Sequence, residues 1–339
     1  MLRRHLLAAA GAVLAAPRIG LAQGRRPIIG MDWAIQGTTA PWTMAEDNGW
    51  FREAGADITV SRGFGSGDTV VKVATGAFDL GYADVYTLMR FLAENPAQRM
   101  VAFFMAHDRS ALSLAVMADS PIRAPRDFAG KTLAAPTGDA SRQLFPLFAR
   151  KSGFDPASVN WLNVSADLRE AMLMRRQADG ISGHVTTVAM NTRAAGVPAN
   201  GVRFFPYSDF GLPLYGHVLF TTQAYAQANA PVLTACARGT VRGLRAMIAN
   251  PRAAAEASKR RESLLDVAIE TTRIEIANEI MFVSPHVRTN GFSAVDMARL
   301  DSTMKEVAEA FQVRPMSAAD LYTTRYLPPA AELAFSAAS

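Results

Sequence analysis

From residue 27 to residue 107 the chain alternates between two hydrophobic periods, and that alternation limits the fold more than any other feature. Short apolar runs at 27–32, 56–64, 78–84 and 100–107 predict strands, and the segments at 42–51, 66–77 and 85–95 predict helices. In the second helix Val70, Val73, Ala74 and Ala77 recur at the spacing of one helical face, with Ser66 or Asp68 as the expected N-cap. The run MVAFFMAH is apolar throughout, which predicts a buried strand of the parallel kind. Strand and helix in alternation predict an α/β architecture with a parallel sheet, where ligands collect at the carboxyl ends of the strands. The polar loops AIQGTT, GFGSGD, AD and HDRS all fall at those ends.

A second unit opens near Pro121, Pro125 and Gly130. KTLAAP reads as a strand, TGDAS as a loop, and SRQLFPLFARKSG as a helix closed by Gly153 as a left-handed cap. SVNWLNV and ADGISGHV read as strands on either side of a helix, and after about residue 224 the chain reads as almost wholly helical. The two units share a plan. Residues 66–84 run from a serine through a helix to TGAFDLGYAD, and residues 165–184 run from a serine through a helix to RQADGISGH. An aspartate enters each short strand, Asp79 or Asp179, and five residues later the strand delivers Asp84 or His184. A repeated strand–helix–strand unit predicts that Asp84 and His184 occupy matching strand ends and face each other across a cleft.

Residues 1–22 stand apart. Arg3 and Arg4 precede an apolar run from Leu6 to Ala16 and small residues Gly20 and Ala22, the layout of a cleaved secretory signal, with a twin-arginine character. The formal net charge is +5; without Arg3, Arg4 and Arg18 it falls by three to +2, so the charge gives little support for nucleic-acid binding. No later stretch is long and apolar enough to span a bilayer. The one cysteine, Cys236, has no partner for a disulfide or a cysteine metal site.

Several motifs resemble the periplasmic solute-binding proteins of ABC importers in the sulfonate, taurine and thiamine-precursor group. They are Asp32-Trp33, Gly49-Trp50-Phe51, Gly63, Gly65-Ser66, Ala74-Thr75-Gly76 and Asp79-Leu80-Gly81, followed by PRDFAGKTLAAPTGDAS. The likeness spans roughly residues 27–225. It implies a two-lobed type II periplasmic-binding fold, each lobe a mixed, mostly parallel sheet flanked by helices, with a helical C-terminal tail. Lobe one would comprise residues 25–115 and 218–339 and lobe two residues 116–217, with crossover strands near 111–117 and 217–222. A small organic ligand, a sulfonate, aromatic carboxylate or pyrimidine-like compound, would lie between the lobes and pass to the importer's permease and ATPase. The resemblance implies a periplasmic monomer with no cofactor, no metal and no catalytic role. One departure concerns the ligand: thiamine-precursor binders carry a Pro-Asn pair shortly after Asp-Trp, where this chain has AIQGTTAP.

Candidate binding residues follow from loop position and chemistry. Trp33 and Trp42 offer stacking surfaces, and Gln36, Thr38 and Thr39 offer hydrogen bonds. Ser66 and Gly67 in one unit, and Thr137, Asp139, Ala140 and Ser141 in the other, lie at or just before helix N-termini, which suit a carboxylate or sulfonate. Arg109 and Arg142 are the expected cations; Asp84 and Asp108 suit an amine or hydroxyl; His184 is the strand end expected to face Asp84; Tyr215 and Gly216 lie beside the second crossover. GFGSGDT lacks the lysine of a phosphate-binding loop. Pyrimidine-synthase relatives of the fold use a cysteine-rich motif that one cysteine cannot form, and no hydrolase motif is present. The alternatives to a carrier are a pyrimidine-precursor-synthase-like enzyme, against which the single cysteine argues, and a ligand-sensing module for a signalling partner.

Overall fold

Ten strands form two five-stranded sheets of the same topology, in a computed structural model that describes residues 25–335. The expected signal, residues 1–22, lies outside the described residues. In the first half the strands are β1 (Ile28–Gly30), β2 (Thr59–Ser61), β3 (Leu80–Asp84) and β4 (Met100–Met105). They are followed by β5 (Leu112–Met117), β6 (Thr132–Ala135), β7 (Asn160–Asn163), β8 (Gly180–His184), β9 (Val202–Pro206) and β10 (His217–Thr222). One sheet has the order β2-β1-β3-β10-β4 and the other β7-β6-β8-β5-β9. In each, three strands are parallel and the fourth is antiparallel to both neighbours. That fourth strand comes from the far side of the chain: β5 leaves β4 to enter the second sheet, and β10 leaves β9 to enter the first. All of β5 pairs in the second sheet, so the passage between sheets runs through residues 106–111, just before the expected boundary at 115.

The repeat is visible in single hydrogen bonds. Asp79 accepts from the backbone N–H of Ile28 at 2.8 Å and donates its own N–H to the Ile28 carbonyl at 3.0 Å. Asp179 does the same with Thr132, at 2.8 and 2.9 Å. Each aspartate thus fixes the register of a central strand against its parallel neighbour, and five residues later Asp84 and His184 each begin a helix.

The helices of the first half are α1 (Ala40–Asp47), α2 (Trp50–Glu53), α3 (Ser66–Ala74) and α4 (Val85–Glu94); those of the second are α5 (Ala140–Lys151), α6 (Arg169–Met174) and α7 (Val185–Ala194). The segment after β10 adds α8 (Gln223–Ala228), α9 (Ala230–Ala249), α10 (Pro251–Arg261) and α11 (Val267–Ala277), a single π-helical turn at Asn278–Phe282, then α12 (Pro285–Asn290) and α13 (Met297–Phe311). Val70 and Val73 of α3 are buried, as the periodicity predicts, whereas Ala74 is half-buried at the end of the helix and Ala77 is exposed beyond it; Gly153 follows α5 with φ +79°. Among the described residues no helix is long and apolar enough to cross a membrane.

Two local expectations are corrected. Neither Ser66 nor Asp68 caps α3: Gly65 occupies that position with φ +131°, and a Cβ there would lie 2.4 Å from the Gly138 backbone of the other half. The Ser66 hydroxyl instead accepts from the Asp84 N–H at 3.0 Å. The apolar strand β4 is not a parallel strand of the sheet interior; it lies at the end of the strand order and pairs antiparallel with β10. Burial beneath helices on both faces makes a strand apolar whatever its direction.

Replacing Asp79 or Asp179 by alanine leaves the N–H of Ile28 or Thr132 without its carboxylate partner. Each change is expected to lower stability by about 1–3 kcal/mol in urea unfolding, with the larger loss at the more buried Asp79 site.

Candidate functional site

The carboxyl ends of the two sheets meet at a small cavity of roughly 30 Å³. Its first wall is the segment after β1. Asp32 and Trp33 leave the strand, and Gln36 opens a tight turn at Gly37–Thr39 that closes on itself: the Gln36 N–H donates to Thr39 Oγ1 at 3.0 Å and that hydroxyl donates to the Gln36 carbonyl at 2.8 Å. The Gln36 amide then donates to Thr38 Oγ1 at 2.9 Å and, across to the second half, to Thr187 Oγ1 of α7 at 3.1 Å.

Strand alternation places Tyr82 and Asp84 on one face of β3. Tyr82 reaches the cavity, tilts against Trp42 at 4.3 Å, and its hydroxyl meets His107 Nε2 at 2.7 Å. His107, just beyond β4, and His217, first in β10, have locked backbones: the Ala106 N–H donates to the His217 carbonyl at 2.8 Å and the Gly216 N–H to the His107 carbonyl at 3.1 Å. His184, last in β8, comes from the second half and meets the His217 ring edge-on at 5.0 Å. Three imidazoles from two sheets therefore share one wall. Among the described residues no group of three or more His, Cys, Asp or Glu side chains is arranged to hold a metal ion.

Burial decides the protonation of this cluster. Burial disfavours the charged form of His217, but the Asp32 carboxylate at 2.7 Å, by charge and hydrogen bond, and the nearby Asp84 charge outweigh it and raise its pKa. Burial acts upward on Asp32, and the His217 charge and hydrogen bond reverse it, leaving the carboxyl below its usual range. His184 is pushed down to about 3 by burial and then by the His217 charge; burial and the same charge push His107 down too. Asp84 rises to about 6 because it is buried. One of its oxygens accepts from the Thr87 N–H at 2.8 Å; the other has no hydrogen-bond partner in the protein.

The second half supplies the cavity's guanidinium. Arg169 of α6 is 1% exposed and lies over the Trp33 ring at 4.6 Å. It donates to Glu170 at 2.6 Å and to Asp139 at 3.3 Å; Asp139 also accepts from Ser182 at 2.6 Å and caps α5 through the Arg142 N–H.

Eight of the sequence candidates meet at the cavity: Trp33, Gln36, Thr38, Thr39, Ser66, Asp139, Ala140 and His184. Trp42 is buried one layer deeper, behind Tyr82, and Asp84 is buried behind the cavity wall, opposite His217 in the β3–β10 register. His184 therefore faces His217 in the cavity, with Asp84 behind that ring. Gly67 joins the halves, its N–H donating to the Gly138 carbonyl at 3.0 Å, so that donor is not free for an anion. Thr137 is exposed, and the Ser141 carbonyl accepts from Tyr207. The two expected cations lie elsewhere: Arg109 is exposed, and Arg142 binds the Ala135 carbonyl and Asn163 beside Trp161. Asp108 pairs with Arg299, which also covers Tyr215, and Gly216 packs against His107. The cavity-lining residues that sequence reasoning passed over as binding candidates are Asp32, Gly65, Tyr82, His107, Arg169, Thr187, His217 and Met281. His107 and His217 end or begin apolar runs at strand ends, a signal that was present; nothing in LREAMLMRRQ separates the buried Arg169 from its neighbours.

Known proteins agree with this architecture. The chain matches the NMT1/THI5-like family over residues 36–254 and belongs to it. It is 23% identical over 222 residues to the formylaminopyrimidine-binding protein of Halalkalibacterium halodurans, a match that takes in 65% of this chain and 66%, just under two thirds, of that one. Its fold is that of the periplasmic binding proteins, two mixed sheets flanked by helices. A Bordetella bronchiseptica protein superposes with a TM-score of 0.72 at 19% identity, over 89% of this chain and 95% of that one. The alkanesulfonate-binding protein SsuA of Xanthomonas axonopodis pv. citri, bound to MOPS, gives a TM-score of 0.67 at 16% identity, over 88% and 98%.

The depressed His184 pKa fixes the sign of an acid effect. In the unfolded chain the imidazole protonates as pH falls below 6.5, while the folded protein keeps it neutral to about 3, so stability is lost through that window. His184→Gln removes this contribution and is expected to retain about 2–3 kcal/mol more of its neutral-pH stability at pH 4.5 than the wild type, measured by urea unfolding at both pH values.

Proposed function

We propose that this protein is an exported solute-binding protein that captures a neutral, flat, nitrogen-rich small molecule between two lobes and delivers it to an ABC importer. The charge balance of the cavity carries this reading. Arg169 lies between Asp139 and Glu170, and His217, its pKa raised, is bonded to Asp32, so each basic group already has a carboxylate partner. A sulfonate or aromatic carboxylate entering this space would bring a full negative charge with no free cation to meet it and would lose its hydration. A ring with amino or amide N–H donors and ring-nitrogen acceptors matches what remains: the Asp32 carboxylate, the His184 imidazole, the Thr38 hydroxyl and the Trp33 ring. The similarity to the formylaminopyrimidine-binding protein supports the same ligand class. The lobes would turn about the two passages, residues 106–111 and 212–216, where the chain moves from sheet to sheet, and opening would admit the ligand. The signal-like start and the likeness to periplasmic binding proteins support export.

Thermal unfolding in the presence of millimolar 4-aminopyrimidines, their formamide derivatives, alkanesulfonates and benzoates tests the ligand class. The aminopyrimidines should raise Tm by mass action and emerge chemically unchanged. A rise with sulfonates or benzoates alone overturns the charge argument, and conversion of any binding compound overturns the carrier reading. Asp32→Ala removes the one accessible carboxylate in the first-half wall and is expected to weaken aminopyrimidine binding at least about tenfold by calorimetry.

A further inference from the structure

Arg273 of α11 joins three parts of the chain that meet only beside the cavity. It is 2% exposed and uses its guanidinium fully. Nε and Nη2 donate to the two Glu270 oxygens at 2.9 Å each, a bidentate pair within one helix. Nη1 donates to the Thr186 and Thr187 carbonyls at 3.1 and 3.3 Å, and Nη2 to Asn191 Oδ1 at 2.9 Å. All three of those acceptors belong to α7 of the second half. On its other side Glu270 accepts from the Gly37 N–H at 2.6 Å, in the turn that carries Thr38 and Thr39 into the cavity. Gly37 permits that approach: a Cβ there would stand 2.8 Å from the Ile274 side chain. Four residues beyond α11, Met281 enters the cavity, and Phe282 meets the His107 ring edge-on at 4.6 Å.

We propose that Arg273 is a positioning residue for ligand capture, and that its bonds to α7 form a latch between the two halves. The proposal rests on the binding reading above, because a latch acts only where the halves part. Its logic lies in which bonds cross the divide. The Glu270 pair stays within the first half whether the cleft is open or shut, so the buried guanidinium is never left without a counter-charge. The three bonds to α7 exist only when the cleft is shut. Charged donors make strong hydrogen bonds, so this small set shifts the balance toward closure and slows ligand escape. It also sits on the segment that supplies Met281 and braces His107, which couples closure to the shape of the cavity.

Spin labels at the exposed positions Ala97→Cys and Ala195→Cys, one in each half, report the open fraction of the full-length, ligand-free protein by electron–electron distance measurement; the native Cys236 is buried. Arg273→Lys keeps a charge beside Glu270 but is too narrow to reach α7, and Asn191→Ala removes one acceptor from the far side. Both should raise the open fraction at least about fivefold with an unchanged far-ultraviolet spectrum. Gly67→Trp is the reference, because a side chain there is wedged against Gly138 of the other half. If the wedge opens the protein while Arg273→Lys and Asn191→Ala leave the wild-type distances, the latch is overturned. If the wedge itself leaves the distances unchanged, the halves do not part and the binding reading falls with it.

Discussion

The exchange of one strand between the two sheets is the constraint on which the rest of this structure depends. β10 enters the first sheet only after the second is complete, and it pairs with both β3 and β4. Without it β4 would have no neighbour in the sheet order, and His217 would not stand opposite Asp84. The same exchange leaves the halves joined by adjacent passages whose backbones are bonded through His107, Gly216 and His217. Two covalent connections side by side are the feature on which the proposed closure of the halves rests.

Burial of charge is the second constraint. Asp32 with His217, Arg169 with Asp139 and Glu170, and Arg273 with Glu270 all lie in or near the cleft with little exposure. Desolvating such groups is unfavourable by several kcal/mol per ion unless geometry and hydrogen bonding compensate. Here the compensation is close to complete, through bidentate contacts and capping bonds. The consequence is a cavity whose polarity is fixed in advance. Asp84, with one unpartnered oxygen, and His217 and His107, each with an unpartnered Nδ1, are exceptions, and the rise of the Asp84 pKa to about 6 reflects the penalty of burial. Like-charge repulsion acts in the same direction on the imidazoles: one His217 cation helps to hold its two neighbours neutral.

The C-terminal helices do more than complete the core of the first half. Trp42 and Phe51 share a buried cluster with Leu244 and Ile274, which ties the segment down. Beyond α11 the chain widens into a π turn, a conformation that inserts an extra residue and is frequent at functional sites. That widening directs Met281 and Phe282 toward the cavity and the histidine wall.

Much of this molecule is legible in its sequence because the relevant signals are local. Hydrophobic period gives the elements, and the spacing of Asp79 and Asp179 before Asp84 and His184 gives the repeat, since each aspartate acts within its own strand–helix–strand unit. Loop polarity gives the first wall, Trp33 through Thr39. Tertiary structure decides what depends on partners far along the chain. The antiparallel neighbour of β4 is hidden because burial on both faces looks alike whether a strand pairs parallel or antiparallel. Arg169 and Arg142 are both arginines in helices beside the second sheet, and only the fold buries one between two carboxylates under a tryptophan and leaves the other beside Trp161. Residue types and periods can be read in order along the chain, but desolvation and charge pairing are properties of neighbours in space, and those exist only once the strands have been exchanged.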